Sequence, residues 1–203
     1  MTLQKKFKES YSLLSPYLYS FRKDEVNLFE MQENLKKSME GFLYVIKNIK
    51  NKRIIASCNW MVGKILNLQD KNEDSYKRFL IAKKIYSKLF ISKKISSAIL
   101  ADTFREISLQ CLKIKKFHEA VYYANAACEF APKDQTLVSN LSVAKLFQGN
   151  LKDAKKIAKD CQRANPNDMP SKVVLKAIKK IEKKQAIIPK TFSELETLFF
   201  GDD

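Results

Sequence analysis

The sequence predicts an all-α protein built of antiparallel helical hairpins, and three features of its 203 residues support this fold class. Only four glycines and five prolines interrupt the chain, which favours helices with short connections over sheets or disorder. Large apolar residues recur at helical spacing along most of its length. The third feature is an internal repeat, which covers residues 101–168.

Residues 1–100 are assigned to an N-terminal helical region that contains three amphipathic helices. The first is expected to start near Asp24 as its N-cap, and the third to cover about residues 74–89. The apolar positions of the first two helices are Leu28, Leu35, Met39, Phe42, Ile46 and Ile49, then Ile54, Cys58, Met61, Ile65 and Leu68. The second and third helices carry Gly63 and Ala82, and we interpret this pair as a degenerate repeat that has lost its register before residue 101.

Residues 1–23 interleave aromatic side chains with lysine and arginine. Such a pattern can serve stacking on single-stranded nucleic acid or attachment at a membrane surface. We favour packing of the aromatic side chains on the first long helix, because Pro16 and the scattered spacing leave no continuous binding platform. The aromatic residues concerned are Phe7, Tyr11, Tyr17, Tyr19 and Phe21.

Two segments within residues 101–168 align without a gap at a spacing of 34 residues. The matched pairs are Ile107 with Leu141, Phe117 with Leu151, Ala120 with Ala154, Ala124 with Ala158, Pro132 with Pro166, and Asp134 with Asp168. Alanine lets two helices approach closely, and each proline ends a helix because it forces the preceding residue out of the α region. Residues 101–168 are therefore predicted to form two hairpins, with the four alanines buried where the helices cross.

These residues resemble the tetratricopeptide repeat (TPR) family. Its pattern has a large residue, Leu-Gly and Tyr in the first helix, an aromatic residue after the turn, alanines in the second helix and a terminal proline. The matching residues are Phe104, Ile107, Ser108, Cys111, Phe117, Ala120, Ala127 and Pro132, then Val138, Leu141, Ser142, Leu151, Ala154 and Pro166. Serine takes the place of the pattern's glycine in both units. The resemblance implies a short TPR-like solenoid of stacked hairpins that binds a partner along its concave groove.

In this family the groove is formed by the first helix of each hairpin, which here implies residues 102–113, 136–147 and 170–181. An apolar peptide or an amphipathic helix would suit the residues mapped there. The predicted groove residues are Arg105, Leu109, Leu112, Lys113, Asn140, Val143, Phe147, Val173 and Ala177. The alternative is that they pack on the N-terminal helices.

A second binding mode of the family clamps the terminal carboxylate of a peptide. Arg105 and Asn140 match two positions of that clamp. Leu109, Pro170 and Val174 occupy three others with side chains that donate no hydrogen bond, so a carboxylate clamp is not expected.

Residues 169–188 are predicted to form a capping helix. Pro170 lies near its first turn, which is a compatible position for proline. Its exposed face is rich in lysine, as expected of a helix that keeps the open end of a solenoid soluble. The lysines are Lys172, Lys176, Lys179, Lys180, Lys183 and Lys184.

Residues 189–203 differ in character from the rest, since from Thr191 onward there are acidic residues but no lysine or arginine. Thr191 with Glu194, and Ser193 with Glu196, have the spacing of a capping box, which predicts a short helix. We expect this C-terminal docking segment to dock on the protein's own groove or basic face, because a solvated apolar tail is unfavourable. Docking on a partner or a second copy, or a disordered tail, are the alternatives. Its apolar residues are Phe192, Leu195, Leu198, Phe199 and Phe200.

Catalysis is not expected, because the chain has one histidine, His118, in an exposed turn. The cysteines form no C-x-x-C pair and are interpreted as buried free thiols; they are Cys58, Cys111, Cys128 and Cys161. No glycine-rich phosphate loop or dinucleotide motif is present. We predict no catalytic residue, no metal site, no cofactor and no small-molecule substrate.

The net charge of +16 favours attraction to nucleic acid, an anionic membrane or an acidic protein. Lysine greatly outnumbers arginine, so the bidentate groups that dominate base and phosphate recognition are scarce. The longest uncharged stretch, residues 10–21, is too short and polar to span a bilayer, and we expect a cytoplasmic protein. We favour a scaffold or assembly adaptor that binds another protein, for instance in a large bacterial assembly, over an electrostatic binder of RNA or anionic membrane.

Overall fold

The structure is a computed structural model that describes residues 2–18 and 27–201. This part of the chain is all-helical, which confirms the predicted fold class. The helices are α1 (Leu3–Leu18), α2 (Leu28–Asn48), α3 (Lys52–Leu68), α4 (Asn72–Ile91), α5 (Ser97–Lys113), α6 (Phe117–Phe130), α7 (Gln135–Gln148), α8 (Leu151–Ala164), α9 (Met169–Glu182) and α10 (Phe192–Phe200). Two compact units result, Met1–Ile95 and Ser96–Asp203. The segment boundaries assigned from the sequence, after residues 100, 168 and 188, stay a prediction.

The first unit consists of two antiparallel hairpins, α1–α2 and α3–α4, which pack together through α2 and α3. Of the apolar positions that helical spacing predicted, Leu35, Phe42, Cys58 and Ile65 belong to its core, whereas Leu28 is 67% exposed because it lies in the first turn of α2. The core residues are Leu14, Leu35, Phe42, Val45, Cys58, Val62, Ile65 and Leu66.

Helix α1 was not predicted as a helix, because Pro16 lies within it. Proline has no N–H to offer the carbonyl of Ser12, and the Ser15 hydroxyl donates to that carbonyl at 3.4 Å instead. The Phe7 ring packs edge-on against Phe42 of α2, with ring centroids 5.5 Å apart. Among the described residues of the 1–23 segment, the expected packing of aromatic side chains on the first long helix is therefore seen at Phe7.

The N-cap of α2 differs from the predicted one. The Asn27 side chain caps this helix by accepting from the N–H groups of Phe29 and Glu30 at 3.1 and 3.3 Å. Asp24, the predicted N-cap, lies outside the described residues, as do Tyr19 and Phe21.

Serine hydroxyls bridge the two helices of three hairpins. Ser38 donates to the carbonyl of Ser10 across α1–α2, at 2.6 Å. Ser75 donates to the carbonyl of Gly63 across α3–α4, and Ser108 donates to that of Ala120 across α5–α6, both at 2.8 Å. In each of the last two pairs the bonded residues are 12 positions apart in sequence, which indicates that α3 and α4 cross at the same register as α5 and α6. The 34-residue register fails between them in part because α4 has 20 residues whereas α6 has 14, and in part because α5 has 17 residues whereas α7 has 14.

Gly63 lets α3 and α4 approach closely. A Cβ atom at this position would lie 2.9 Å from Cε1 of Phe79, a ring that is fully buried. Gly63→Ala is therefore expected to lower the free energy of unfolding by about 1–3 kcal/mol through overpacking. Urea unfolding measures this change. If α3 and α4 did not approach closely at Gly63, the same substitution would instead raise the free energy of unfolding by about 0.5–1 kcal/mol, because alanine has the higher helix propensity.

The second unit begins with the two hairpins predicted from the repeat, α5–α6 and α7–α8. Ala120, Ala124, Ala154 and Ala158 are all buried, which confirms their predicted place at the helix crossings. Gly149 ends α7 in the left-handed conformation, with φ of +91°, where a residue with a Cβ would be strained. The helices α6 and α8 end just before the two repeat prolines, as predicted.

Helix α9 packs on α7 and α8, so it covers the end of the second hairpin. Asp168 caps it by accepting from the N–H of Ser171 at 2.9 Å, and Pro170 lies in its first turn as expected. The lysine face of α9 is not wholly solvated as predicted, because α10 packs against this helix.

Candidate partner-binding face

The C-terminal docking segment forms helix α10, and its start is fixed by a capping box. The Thr191 hydroxyl accepts from the N–H of Glu194 at 3.2 Å, and the Glu194 carboxylate accepts from the N–H of Lys190 at 2.7 Å. Of the two predicted boxes, only the one at Thr191 starts the helix, because Ser193 already lies inside it. The predicted short helix is confirmed.

Helix α10 docks on the same chain, through an aromatic contact. The ring centroids of Phe192 and Phe147 are 5.2 Å apart, and those of Phe147 and Phe117 are 5.9 Å apart. Phe147 is fully buried, and Leu195 of α10 is buried as well. The favoured expectation of docking in cis therefore describes the structure.

Two lysines make cation–π contacts near the two ends of α10. The ammonium of Lys176 on α9 donates to the carbonyl of Phe199 and lies 5.3 Å from the centroid of that ring. The ammonium of Lys190, just before α10, lies 5.3 Å from the centroid of Phe117. Phe117, Phe147 and Lys176 are called the α10 seat below. Phe117 and Lys176 were not predicted as site residues, because neither lies on the groove side of a first helix by spacing.

The nine predicted groove residues divide into two groups by burial. Leu112, Val143, Phe147 and Ala177 are buried, so the expectation that these four present free surface is wrong. The reason is that helical spacing assigns a side chain to a face but does not reveal what covers that face. The residues that keep accessible surface are Arg105, Leu109, Lys113, Asn140 and Val173.

Three of the accessible residues line one small pocket between α5, α6 and α7, with a volume of about 10 Å³. They are Arg105, Leu109 and Asn140, and we call them the open section of the face. The Arg105 guanidinium is held by carboxylates of Asp102 and Glu106, at 3.2 and 3.0 Å. Its charge is therefore already compensated, and the surface around this pocket offers a free carboxylate little attraction.

The open section and the α10 seat lie on the same side of α7. Asn140 and Phe147 are two helical turns apart, a spacing that places both on one face. An extended or helical ligand that follows α7 can therefore contact the open section at one end and the seat at the other.

Three cysteine thiols among the described residues have raised pKa values. Burial raises the pKa of the Cys58 thiol to about 12, and it also raises the pKa values of Cys128 and Cys161. These side chains stay protonated thiols at neutral pH, and Cys128 is only half-buried. His118 lies in the first turn of α6 and is exposed, not in the turn before it.

In residues 2–18 and 27–201, no group of three or more histidine, cysteine, aspartate or glutamate side chains is placed to hold a metal ion. No helix among these residues combines the length and the apolar composition that a bilayer crossing needs.

The described arrangement matches solved structures of repeat proteins. YrrB, described as a TPR protein with an unusual peptide-binding site, superposes with a TM-score of 0.61 over 98% of this chain and 91% of its own, at 13% identity. A MamA RS-1 ArsTM double mutant superposes with a TM-score of 0.65 over 100% of this chain and 99% of its own, also at 13% identity. The chain has a TPR-like fold. Neither a protein-family model nor a curated protein matches the sequence.

Proposed function

We propose that this TPR-like chain is a non-catalytic adaptor that binds another protein through an apolar peptide or an amphipathic helix. The binding face consists of the open section and the α10 seat. The observation that carries the proposal is that the chain's own amphipathic helix already occupies the seat, with Phe192 on Phe147. A helix of the same chemistry from another protein would find the same aromatic and basic groups there.

The contact with α10 is small enough to be exchanged. In this helix of nine residues Leu195 is the buried side chain, and Phe200 remains 70% exposed. Burial of one large apolar side chain contributes about 1.5–3 kcal/mol, which a partner helix with more anchors can exceed. We infer that α10 covers the seat until a partner with a longer apolar face displaces it.

The comparison with YrrB supports a peptide as the ligand class. Its description records a peptide-binding site in a protein of this fold. At 13% identity the likeness carries no residue-by-residue correspondence, so the proposed contacts rest on the geometry of this chain. Assembly of several proteins, for instance in a large bacterial complex, is the cellular role that such an adaptor would serve.

A second candidate function is electrostatic binding of RNA or anionic membrane. It is favoured by a row of lysines on α8, formed by Lys152, Lys155, Lys156 and Lys159. One of them, Lys155, pairs with Glu182 of α9 at 2.7 Å, which reduces the charge of the row. Binding of this kind would weaken steeply as salt rises, because phosphate contacts release counterions.

The open section gives a direct test of the adaptor function. Immobilised chain is expected to retain a protein partner after nuclease treatment and at about 0.5 M salt, where the Debye length falls to a few ångströms. Leu109→Glu is expected to remove that partner, because it places a charge in the apolar pocket. Circular dichroism will show whether this variant keeps its helices.

The matched control is Lys156→Glu, on the lysine row of α8. It should leave partner capture unchanged if binding uses the open section. Loss of capture with Lys156→Glu, together with sensitivity to nuclease or salt, would contradict the adaptor function and favour the electrostatic one.

A further inference from the structure

The first compact unit contains a groove that lies outside the face described above. It runs between the start of α3 and the C-terminal half of α4 and has a volume of about 450 Å³, within the range of ligand-binding clefts. Its floor is apolar and half-buried, formed by Ile55, Ile85 and Leu89. Ile85 and Leu89 are one turn apart on α4, so they form a strip along the groove.

Exposed lysines line the rim of this groove, which we call the α3–α4 groove. Lys84 and Lys88 directly precede Ile85 and Leu89 on α4. Lys52 is the first residue of α3, and Lys94 lies shortly after the end of α4. In the part of the chain that the structure describes, none of the four is in an ion pair with a carboxylate. An apolar strip is thus flanked by positive charges that the chain itself does not compensate.

We propose that the α3–α4 groove binds an acidic amphipathic helix of a partner protein. Apolar side chains of such a helix, one turn apart, would pack on Ile55, Ile85 and Leu89. Aspartate or glutamate beside them would meet Lys84 and Lys88, and this charge complementarity selects an acidic helix over a neutral or basic one. The apolar floor separates this ligand from nucleic acid, whose backbone would use the lysines but not the strip.

This site is independent of the partner-binding face of the second unit. Its residues belong to α3, α4 and the residues after α4, and none belongs to the open section or to the α10 seat. The two proposals can therefore fail separately, since Leu109→Glu tests one and changes in α4 test the other.

A designed helical peptide is the probe for the groove. It is about 15 residues long, the length at which isolated helices begin to be stable, with leucine on one face and glutamate elsewhere. Its affinity for the full chain is measured by fluorescence anisotropy. The double variant Lys84→Glu/Lys88→Glu is expected to raise Kd at least about tenfold, as two attractive contacts become repulsive. Leu89→Gln is expected to raise it about fivefold, because one apolar anchor is lost.

The matched control has the same charge change on α8, Lys152→Glu/Lys156→Glu, and is expected to change Kd less than about twofold because neither lysine lines the groove. A peptide with lysine in place of glutamate should not bind. Equal loss in the α4 and α8 variants, equal binding of the lysine peptide, or no binding of the acidic peptide would each overturn the proposal. So would binding of oligouridine with the same dependence on Lys84 and Lys88, which would assign the groove to nucleic acid.

Discussion

Phe147→Ala is expected to lower the free energy of unfolding by about 3–5 kcal/mol, the cost of truncating a fully buried phenylalanine. The change leaves a cavity between Phe117 and Phe192, whose rings both pack on it. Urea unfolding followed by circular dichroism measures the effect. An exposed groove residue would lose partner capture with helicity intact, whereas the burial of Phe147 predicts that capture fails through loss of packing.

Phe200→Ala is the matched control for this change. Phe200 belongs to the same aromatic segment but is 70% exposed, so its truncation should alter the free energy of unfolding by less than about 0.5 kcal/mol. If Phe147→Ala proved as harmless as Phe200→Ala, Phe147 would not be a core residue.

Removal of residues 191–203 is expected to strengthen binding of a partner to the face by about tenfold, which corresponds to ~1.4 kcal/mol of released competition. The physical reason is that the tethered α10 no longer occupies the seat and Phe147 becomes accessible. The measurement is the Kd of the partner captured by the immobilised chain, for the full chain and for residues 1–190.

Other outcomes of the truncation have distinct meanings. Loss of partner binding would show that the segment is itself the recognised peptide, which is the alternative of docking in trans. Unchanged binding, stability and oligomeric state would contradict any role for docking of α10.

The helical hairpins were predictable because their cause is local. A small residue that recurs at the repeat spacing, as Ala120 and Ala154 do, indicates a helix crossing, and a following proline ends a helix by backbone sterics. Helix α1 was missed for a related local reason. Pro16 argues against a helix by propensity, and the compensating Ser15 hydroxyl bond is visible only in three dimensions.

The binding face was less predictable because it depends on what covers each helix. Leu109 and Phe147 were both assigned to the groove by spacing, yet one borders an open pocket and the other lies under Phe192. The change of charge at Thr191 did indicate a segment that docks. The groups that receive it could not be deduced, since Lys176 resembles the other lysines of α9 in sequence.

A double-mutant cycle between Phe147 and Phe192 tests most directly whether α10 occupies the face in cis. Each residue is changed to leucine, singly and together, so that volume loss stays small and the chain remains folded. If the rings are in contact, the free energies of unfolding should show a coupling of about 1 kcal/mol, as aromatic pairs do. The same cycle between Phe147 and the exposed Phe200 should show none. Additive effects of the Phe147 and Phe192 changes, within about 0.3 kcal/mol, would contradict docking of α10 on the partner-binding face.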